Sequence, residues 1–449
     1  MSDLFRPNPP RRQFLRTMGV AGGSLMLGGL LPASRAFAAD VPAINLGQLV
    51  AMTGSAAEFG PYYRDAVKLA MGQINTAAKQ VFGGPIIANQ VTADSATLPT
   101  TGVEAARQMI NTQHTPVVIC CWSSGVTVAV ATSATLPSRV LQIGNGTTSP
   151  LVTVLPEDND LDLLFRTSPS DLMQGIVAAQ FANGEILPDV KYKKVSTIYI
   201  NNPYGQGLSN AFAAAFKKRG GTVLAEVAHP EEVQPTYKSI VSQALKGEPD
   251  MLFLPSYPAH TIAICKESRD TFNFTNWQFT DGNSSVDIIK EVGPSDMDGR
   301  YGTAPGEDTS TESYKGFAAS FKEAFGHDSF PPFTTTTYDA AMTAGLAMAA
   351  VVAKGQITDA SKITGEVLRD ELRTVSNPPG DMIDGGTQER VTAMLQALKD
   401  GKAINYNGVG GPVDFDEFGD VITPVNIWQY QGNELKTIKM VRAADIPTE

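Results

Sequence analysis

Short apolar runs alternate with amphipathic segments along most of the chain. Residues 43–52 form a predicted strand. Residues 61–79 form a predicted helix, because Val67, Ala70 and Ile74 recur at helical spacing. Five more strands and helices follow in the same alternation, at 85–94, 100–110, 116–121, 125–134 and 139–144. Such alternation is typical of right-handed βαβ units around a parallel sheet.

A second series of strands and helices begins after Arg166. Its apolar runs include "KVSTIYIN", "MLFLPS" and "WQFTDG", separated by amphipathic stretches such as "GLSNAFAAAFKKRG". A long helical stretch follows, and the chain closes with two alternating runs around a Gly-Asn turn, which predict a β-hairpin. The predicted fold class is therefore α/β, with two doubly wound Rossmann-like lobes.

Three segments rich in glycine, proline or polar residues are candidate junctions between the lobes: 163–170, 296–306 and 404–416. Three crossings would hinge the two lobes. The sequence assigns residues 39–165 plus 302–408 to lobe I, and residues 166–301 plus 409–449 to lobe II.

The composition narrows the choice of partners. The chain has 449 residues and a mass of 47.8 kDa, enough for two globular lobes, and 42% of its residues are hydrophobic. Its formal net charge is −11, and no block of like charges occurs. Nucleic acids and anionic membranes favour clustered lysine and arginine, so neither is an expected partner.

The first 38 residues are typical of a cleaved export signal. A basic region precedes a glycine-rich apolar run, Met18–Leu31, and a small-residue site that ends at Ala38. Arg11 and Arg12 resemble the twin-arginine motif. The apolar run is shorter than the roughly 20 residues of a spanning helix, which argues against a membrane anchor. Cleavage near Ala38 would release a periplasmic protein that does not insert into the membrane, and its net charge would change from −11 to −15.

The cysteines and histidines indicate no metal site and no cofactor. Cys120 and Cys121 are adjacent, and adjacent residues of a strand point to opposite sides, so we expect no disulfide between them. Pairing of Cys265 with either one stays open. The four histidines are scattered, and no Cys/His set has zinc spacing.

Ser123 and Ser124 lie between a predicted strand and a predicted helix. Three roles are open at such a turn: a helix cap, a contact to a small anion, or a nucleophile. The stretch reads W-S-S-G rather than G-x-S-x-G, which argues against a hydrolase. His260 is the one histidine expected at the same cleft edge, and we interpret it as a surface residue.

Nine motifs occur in one order from residue 44 to residue 440. The first, "GQLVAMTGSAAEFGPYYRDAVKLAMGQIN", is a strand, a Thr-Gly turn and a helix that ends in Ile-Asn. The others are Asp94 before a proline-bearing loop, "SSGVTVAVA", "NGTTSP", "FRTSPSDLMQG", "NNPYGQGLSNAF", "FTDG", "TYDAAMTAGLAMA" and "YNGVGGPVDFDEFGD". Together they resemble the branched-chain amino-acid-binding family of ABC-transporter substrate-binding proteins. The resemblance implies the type I periplasmic-binding-protein fold, in which two lobes close over a small ligand.

The resemblance also implies ligand-binding residues in lobe I. Ser124 is the implied contact of a ligand carboxylate, with Ser123 as the alternative. The loop after the next strand would approach the head group of an α-amino acid with Gly146 and Thr148, and Thr147 offers a further hydroxyl.

In lobe II, Tyr204 and Tyr257 are implied to close over the ligand, and Asp281 is implied to pair with its ammonium. Phe59 and Trp122 would face an apolar tail. Trp122 replaces a smaller residue of the family. It would either shrink the pocket or stack on an aromatic ligand.

The sequence thus predicts a periplasmic substrate-binding protein of an ABC transporter, not an enzyme. Its expected partners are a small carboxylate-bearing ligand, first a branched-chain or other apolar amino acid, and the ABC permease subunits of the inner membrane. The alternatives are a ligand-sensing periplasmic protein, a binder of an aromatic or organic acid or amide, and an exported serine hydrolase that uses Ser124.

Overall fold

A computed structural model describes residues 41–447. The predicted signal peptide, residues 1–38, lies outside the described residues, as does its cleavage site. All elements described below belong to one unit, Asp40–Glu449.

The first series of elements builds a five-stranded parallel sheet. Its strands are β1 (Ile44–Val50), β2 (Ile87–Asp94), β3 (Val117–Ile119), β4 (Leu141–Gly144) and β5 (Leu164–Arg166), in the spatial order β2-β1-β3-β4-β5. The helices between them are α1 (Gly60–Val81), α2 (Pro99–Gln113), α3 (Ser124–Val130) and α4 (Pro150–Thr153). Strands β3, β4 and β5 are buried along their whole length, as expected where helices cover both faces of a sheet.

The second series builds lobe II. Its strands are β6 (Lys194–Ile200), β7 (Thr222–His229), β8 (Met251–Phe253), β9 (Trp277–Phe279) and β10 (Tyr301–Pro305). The helices are α5 (Asp171–Ala182), α6 (Pro203–Lys218), α7 (Lys238–Ala244), α8 (Pro258–Phe272), α9 (Val286–Val292) and α10 (Pro294–Met297).

The chain then returns to lobe I. It forms α11 (Glu312–Phe325), α12 (Thr334–Lys354), α13 (Gly365–Ser376), β11 (Asp381–Asp384), α14 (Gln388–Lys399) and β12 (Ile404–Asn407). Helix α12 packs against α1 and α13 and is buried on nearly every side, which accounts for its run of alanine, threonine and methionine. Among the described residues, no helix is both long and apolar enough to cross a membrane.

A hairpin of β13 (Val425–Gln431) and β14 (Glu434–Val441) completes the second sheet, whose order is β14-β13-β10-β9-β8-β6-β7. Strand β13 pairs antiparallel with both β10 and β14. Its turn holds Gly432 at φ +60°, a conformation that glycine adopts without steric cost. The predicted hairpin and the predicted pair of doubly wound lobes are confirmed.

Asp339 of α12 connects two of the sequence motifs, "TYDAAMTAGLAMA", to which it belongs, and "YNGVGGPVDFDEFGD". Its Oδ1 accepts the N–H of Val409 at 2.8 Å and the hydroxyl of Tyr406 at 2.5 Å, and its Oδ2 accepts the N–H of Gly410 at 2.8 Å. Burial raises the pKa of Asp339 to about 7. The carboxyl group therefore fastens the glycine-rich segment after β12 onto the central helix of lobe I.

The chain passes between the lobes after β5, after β10 and before β13. Val413, Phe415 and Val421 are buried in the same core as Phe165 of β5, so the third passage lies near residue 424. The boundary expected at 302 falls inside β10, and the one expected at 409 falls inside a segment packed on lobe I. We propose lobe I as residues 41–165 plus 306–424, and lobe II as residues 166–305 plus 425–447.

A buried ion pair stands at two of these passages. Arg166, at the end of β5, is fully buried, and its Nε donates to Oδ1 of Asp420 at 2.7 Å. Its other nitrogens donate to the carbonyl of Ser149 at 2.9 Å and to the hydroxyl of Thr153 at 2.7 Å. The guanidinium therefore connects the first passage, the third passage and the loop after β4.

The two adjacent cysteines contradict the sequence prediction. Cys120 and Cys121 form a disulfide, and the peptide bond between them is cis. The prediction assumed that both residues continue the strand, but β3 ends at Ile119, so they do not alternate across the sheet. Cys265 is a buried free thiol.

Replacing Asp420 by asparagine should lower the free energy of unfolding by about 3 kcal/mol, because the buried guanidinium of Arg166 would lose its counter-charge. Urea unfolding followed by circular dichroism measures this change. Asp445→Asn, which breaks the exposed pair with Arg442, is the matched control and should leave the unfolding midpoint unchanged. Equal effects of the two substitutions would contradict the stabilising role of the buried pair.

Candidate functional site

The carboxyl ends of β3 and β4 supply the lobe I side of the candidate site. Ser123 and Ser124 follow β3, and residues 145–149 follow β4. The carboxyl ends of parallel strands meet at one edge of a sheet, so these two segments adjoin. The Ser124 hydroxyl oxygen accepts the N–H groups of Thr148 and Ser149, both at 3.2 Å. Ser124 thus joins the two segments.

Ser123 contacts the opposite lobe. The Tyr257 hydroxyl donates to Oγ of Ser123 at 3.0 Å, and the amide of Asn202 donates to the Tyr257 hydroxyl at 3.2 Å. Ser123 stands at the N-cap position of α3, yet its side chain accepts no capping hydrogen bond. The side chain of Ser123 therefore does not cap α3.

Four of the predicted site residues form a continuous aromatic cluster across the lobes: Phe59, Trp122, Tyr204 and Tyr257. The ring centroid of Trp122 lies 5.1 Å from that of Phe59 and 4.7 Å from that of Tyr257. Tyr257 stacks on Tyr204 at 5.5 Å. All four side chains are buried. The cluster gives the site a rigid apolar wall.

Gly146 lies directly beneath the indole of Trp122. A Cβ added at Gly146 would lie 2.4 Å from Cδ1 of Trp122 and 3.2 Å from Cγ of Phe333, too close for any side chain. The bulky tryptophan that departs from the family pattern therefore depends on this glycine. The methyl group of Thr147, next in the chain, packs on Gly144.

The lobe II residues also stand at strand ends. Tyr204 follows β6, Tyr257 follows β8 and Asp281 follows β9. The Tyr204 hydroxyl donates to Oδ1 of Asp281 at 3.0 Å and accepts the N–H of Gly282 at 3.1 Å. The amide of Gln174 donates to the same Oδ1 at 2.7 Å. Burial raises the pKa of Asp281 to about 6 despite these donors.

Asp171 is a second buried carboxyl group that the sequence analysis missed. It is fully buried at the first position of α5, and neither of its oxygens has a well-formed hydrogen bond, although the hydroxyl of Thr148 lies near enough to lower its pKa. Burial, with the charge of Asp281 as a further cause, raises the pKa of Asp171 well above its ordinary value. The residue lies in the motif "FRTSPSDLMQG", but an aspartate at a helix start is usually a first-turn residue that favours the helix dipole.

Other buried polar atoms of the same region also lack hydrogen-bond partners. They are Nε1 of Trp122, Oγ1 of Thr147, Oγ1 of Thr148 and Oε1 of Gln174. Buried polar groups are nearly always paired in native proteins, so this concentration of unpaired donors and acceptors is typical of a site for a polar ligand. Arg166, whose charge acts on Asp171, already pairs with Asp420.

The arrangement around Ser124 does not resemble that of a serine hydrolase. The contacts of its Oγ are backbone N–H groups. His260, interpreted from the sequence as a surface residue, is fully buried, and its Nδ1 pairs with the hydroxyl of Tyr237 at 2.7 Å. Burial lowers the pKa of His260 to about 3. The surface interpretation is therefore wrong.

A family model for periplasmic binding proteins matches residues 43–434. Because this match covers most of the chain, the protein belongs to the periplasmic binding protein family, whose members bind substrates rather than transform them. Within residues 41–447, no group of three or more His, Cys, Asp or Glu side chains could hold a metal ion.

Curated relatives and solved structures agree with this family. The chain is 28% identical over 230 residues to Leu/Ile/Val-binding protein homolog 3 of Brucella melitensis, covering 51% of this chain and 58% of that relative. It is 25% identical over 323 residues to the chemotactic signal transduction system substrate-binding protein BasB of Halobacterium salinarum, covering 71% of each. The crystal structure of the leucine-binding protein LivK from Thermotoga maritima matches with a TM-score of 0.71 and 21% identity, over 90% of this chain and 100% of that chain. The last likeness supports the two-lobed fold.

Replacing Asp281 by asparagine should flatten the dependence of stability on pH. The folded protein holds a proton at Asp281 up to about pH 6, whereas the unfolded chain releases it near pH 3.8. The folded state thus binds more protons in this window, so the stability that the protonated group contributes falls as the pH rises. We expect wild-type protein to lose roughly 2 kcal/mol more than the variant between pH 4 and pH 7.

Urea unfolding at several pH values tests this expectation. Asp189→Asn, at an exposed position of the same lobe, should follow the wild-type curve. Parallel curves for wild type and Asp281→Asn would contradict the raised pKa.

Proposed function

We propose that this protein is the periplasmic substrate-binding component of an ABC transporter and that it captures an amino acid between its lobes. The observation that carries the proposal is the pair of buried carboxyl groups, Asp171 and Asp281, which have no cationic side chain as hydrogen-bonded partner among the described residues. A buried carboxylate is costly unless a cation compensates it. A ligand ammonium would supply that cation.

The lobe I side offers the complementary chemistry. The hydroxyl groups of Ser123, Ser124 and Thr148 and the indole N–H of Trp122 can all donate to a ligand carboxylate. No arginine or lysine belongs to this group of donors. The two lobes therefore match the two ends of a zwitterion, with neutral donors for its carboxylate and two carboxyl groups for its ammonium.

The lobes contact each other directly, which defines the closed state that a ligand would favour. Besides the bond from Tyr257 to Ser123, the hydroxyl of Ser149 donates to the carbonyl of Pro203 at 2.8 Å. A ligand that touches both lobes binds the closed state better than the open one, and this differential affinity shifts the population toward closure. A permease would then recognise the closed form.

The aromatic cluster favours an apolar stem on the ligand. Phe59 and Trp122 pack against each other with ring centroids 5.1 Å apart, and their apolar rings suit an aliphatic chain. The name of the Brucella relative, Leu/Ile/Val-binding protein homolog 3, agrees with this choice. The predicted export signal, with cleavage near Ala38, would bring the protein to the periplasm, where such a ligand is captured.

Ligand sensing is a second candidate function, favoured by the likeness to BasB. Both functions require the same closure, so the site does not separate them. A deletion strain does: loss of uptake of the radiolabelled ligand supports transport, and normal uptake with lost chemotaxis supports sensing.

A thermal-shift screen of the purified protein against amino acids, their keto and hydroxy acids, aromatic carboxylates and amides tests the proposed ligand class. A ligand at 100 times its dissociation constant adds about 2.7 kcal/mol to the folded state, which clearly raises the melting temperature. We expect hits among the zwitterions. Hits confined to ammonium-free carboxylates would overturn the amino-acid assignment and favour stacking on Trp122.

Asp281→Asn and Asp171→Asn should each weaken leucine binding by roughly 30-fold, because an ammonium in a buried pair would lose a charged partner. Binding of 4-methylpentanoate, which lacks the ammonium, should change little. Isothermal titration measures both affinities, with Asp189→Asn as the matched control. Equal losses for the two ligands would show that neither carboxyl group meets an ammonium.

A further inference from the structure

A large cavity is lined by Phe59 but not by Trp122. Its volume is about 820 Å³, and residues of both lobes line it. Phe59 lines the cavity and also touches Trp122 in the aromatic cluster, so one ring separates the cavity from the proposed head-group site. A leucine side chain is far too small to fill such a volume.

The charges that line this cavity are mostly negative. The acidic residues are Glu58, Asp287, Glu307 and Glu434, and the one basic residue of the lining is Lys290. Lys290 pairs with Asp287 at 2.6 Å, and Glu434 lies 3.4 Å from Lys436. Glu58 and Glu307 are left without an ion pair among the described residues.

Charged groups already lie near these two glutamates: Asp287 and Lys290 near Glu58, where Lys290 lowers the pKa of Glu58, and Asp339 near Glu307. Oε1 of Glu58 is buried and has no hydrogen-bond partner. Glu307 accepts the hydroxyl of Thr335. Burial raises the pKa of each glutamate to about 7, and the nearby charges of Asp287 and Asp339 act in the same direction on Glu58 and Glu307 respectively.

Two further polar groups of the lining are unsatisfied. Trp428 is 4% exposed, and its indole N–H has no hydrogen-bond partner. The side-chain oxygen of Asn426 is also buried without a donor. These atoms are independent of the acidic residues, and they indicate that the cavity is built for a polar group rather than for an apolar tail.

We propose that the cavity is a second subsite of the ligand site and that it receives a cationic group at the far end of the ligand. This inference rests on the proposed function and specifies its substrate class: an amino acid whose aliphatic stem passes Phe59 and ends in an ammonium or a guanidinium near Glu58 and Glu307. The aromatic cluster suits such a ligand, because long cationic side chains pack their stems on apolar surfaces.

Binding of such a cation should release protons. Glu58 and Glu307 are partly protonated near pH 7 in the ligand-free protein and would ionise beside the cation, so affinity should rise as the pH rises from 6 to 8. The other titratable groups of the lining are Tyr62, Tyr314, Asp287, Lys290 and Glu434. Titrations in two buffers of different ionisation enthalpy measure the released protons.

The experiment compares two matched ligand pairs by isothermal titration: arginine with citrulline, and lysine with norleucine. Members of each pair have similar stems and differ in the charge at the far end. We expect the cationic member to bind at least tenfold more tightly. Glu58→Gln and Glu307→Gln should each reduce that preference severalfold, and Glu323→Gln, on the exposed face of α11, should leave it unchanged.

Equal affinities within both pairs would overturn the subsite, as would a preference that survives in both glutamine variants. Norleucine binding that still depends on Asp281 would then leave the proposed function intact. Failure of all four amino acids to bind would overturn both. Two separate glutamate variants are used so that loss of folding in one, seen as a lowered melting temperature, does not decide the result.

Discussion

The buried pair of Arg166 and Asp420 is the constraint on which the site depends. One guanidinium holds the end of β5, the segment that leads into β13 and the carbonyl of Ser149 in the loop after β4. Removing the carboxylate partner of a buried arginine is strongly destabilising, so the pair favours one relative position of these three segments. The loop that carries Gly146 and Thr148 is therefore held by the same contact that connects two of the three passages between the lobes.

The segments fixed by Arg166 and Asp420 carry a site in which buried carboxyl groups are costly to ionise. Asp171 and Asp281 are buried near each other, and each raises the free-energy cost of ionising the other. Glu58 and Glu307 are also buried carboxyl groups, and the charges of Asp287 and Asp339 respectively raise the free-energy cost of ionising them. Folding stability is lowered wherever such groups ionise without a partner, and a cationic ligand would restore it. The groups proposed to bind the ligand thus lower the folding stability of the ligand-free protein.

The positions of most residues of the candidate site were predictable, because functional side chains are expected at strand ends in doubly wound folds. Ser124, Tyr204, Tyr257 and Asp281 each follow a strand, and all lie at facing edges of the lobes. Asp171 was missed because it follows a serine that caps α5, a pattern that a helix start explains fully. Its burial without an ion pair is a property of packing between distant segments and has no sequence signal.

By itself, the sequence determined the alternation of strands and helices, the two lobes, the closing hairpin and the motifs that identify the family, because periodicity and turn residues act over short distances. Only the tertiary structure decided that Cys120 and Cys121 pair, that His260 is buried, and that Val413 to Val421 pack on lobe I. It also brought Asp171 close to Asp281 and formed the acidic cavity that Phe59 lines. These features depend on contacts between residues far apart in the chain, whose burial and charge no local pattern records.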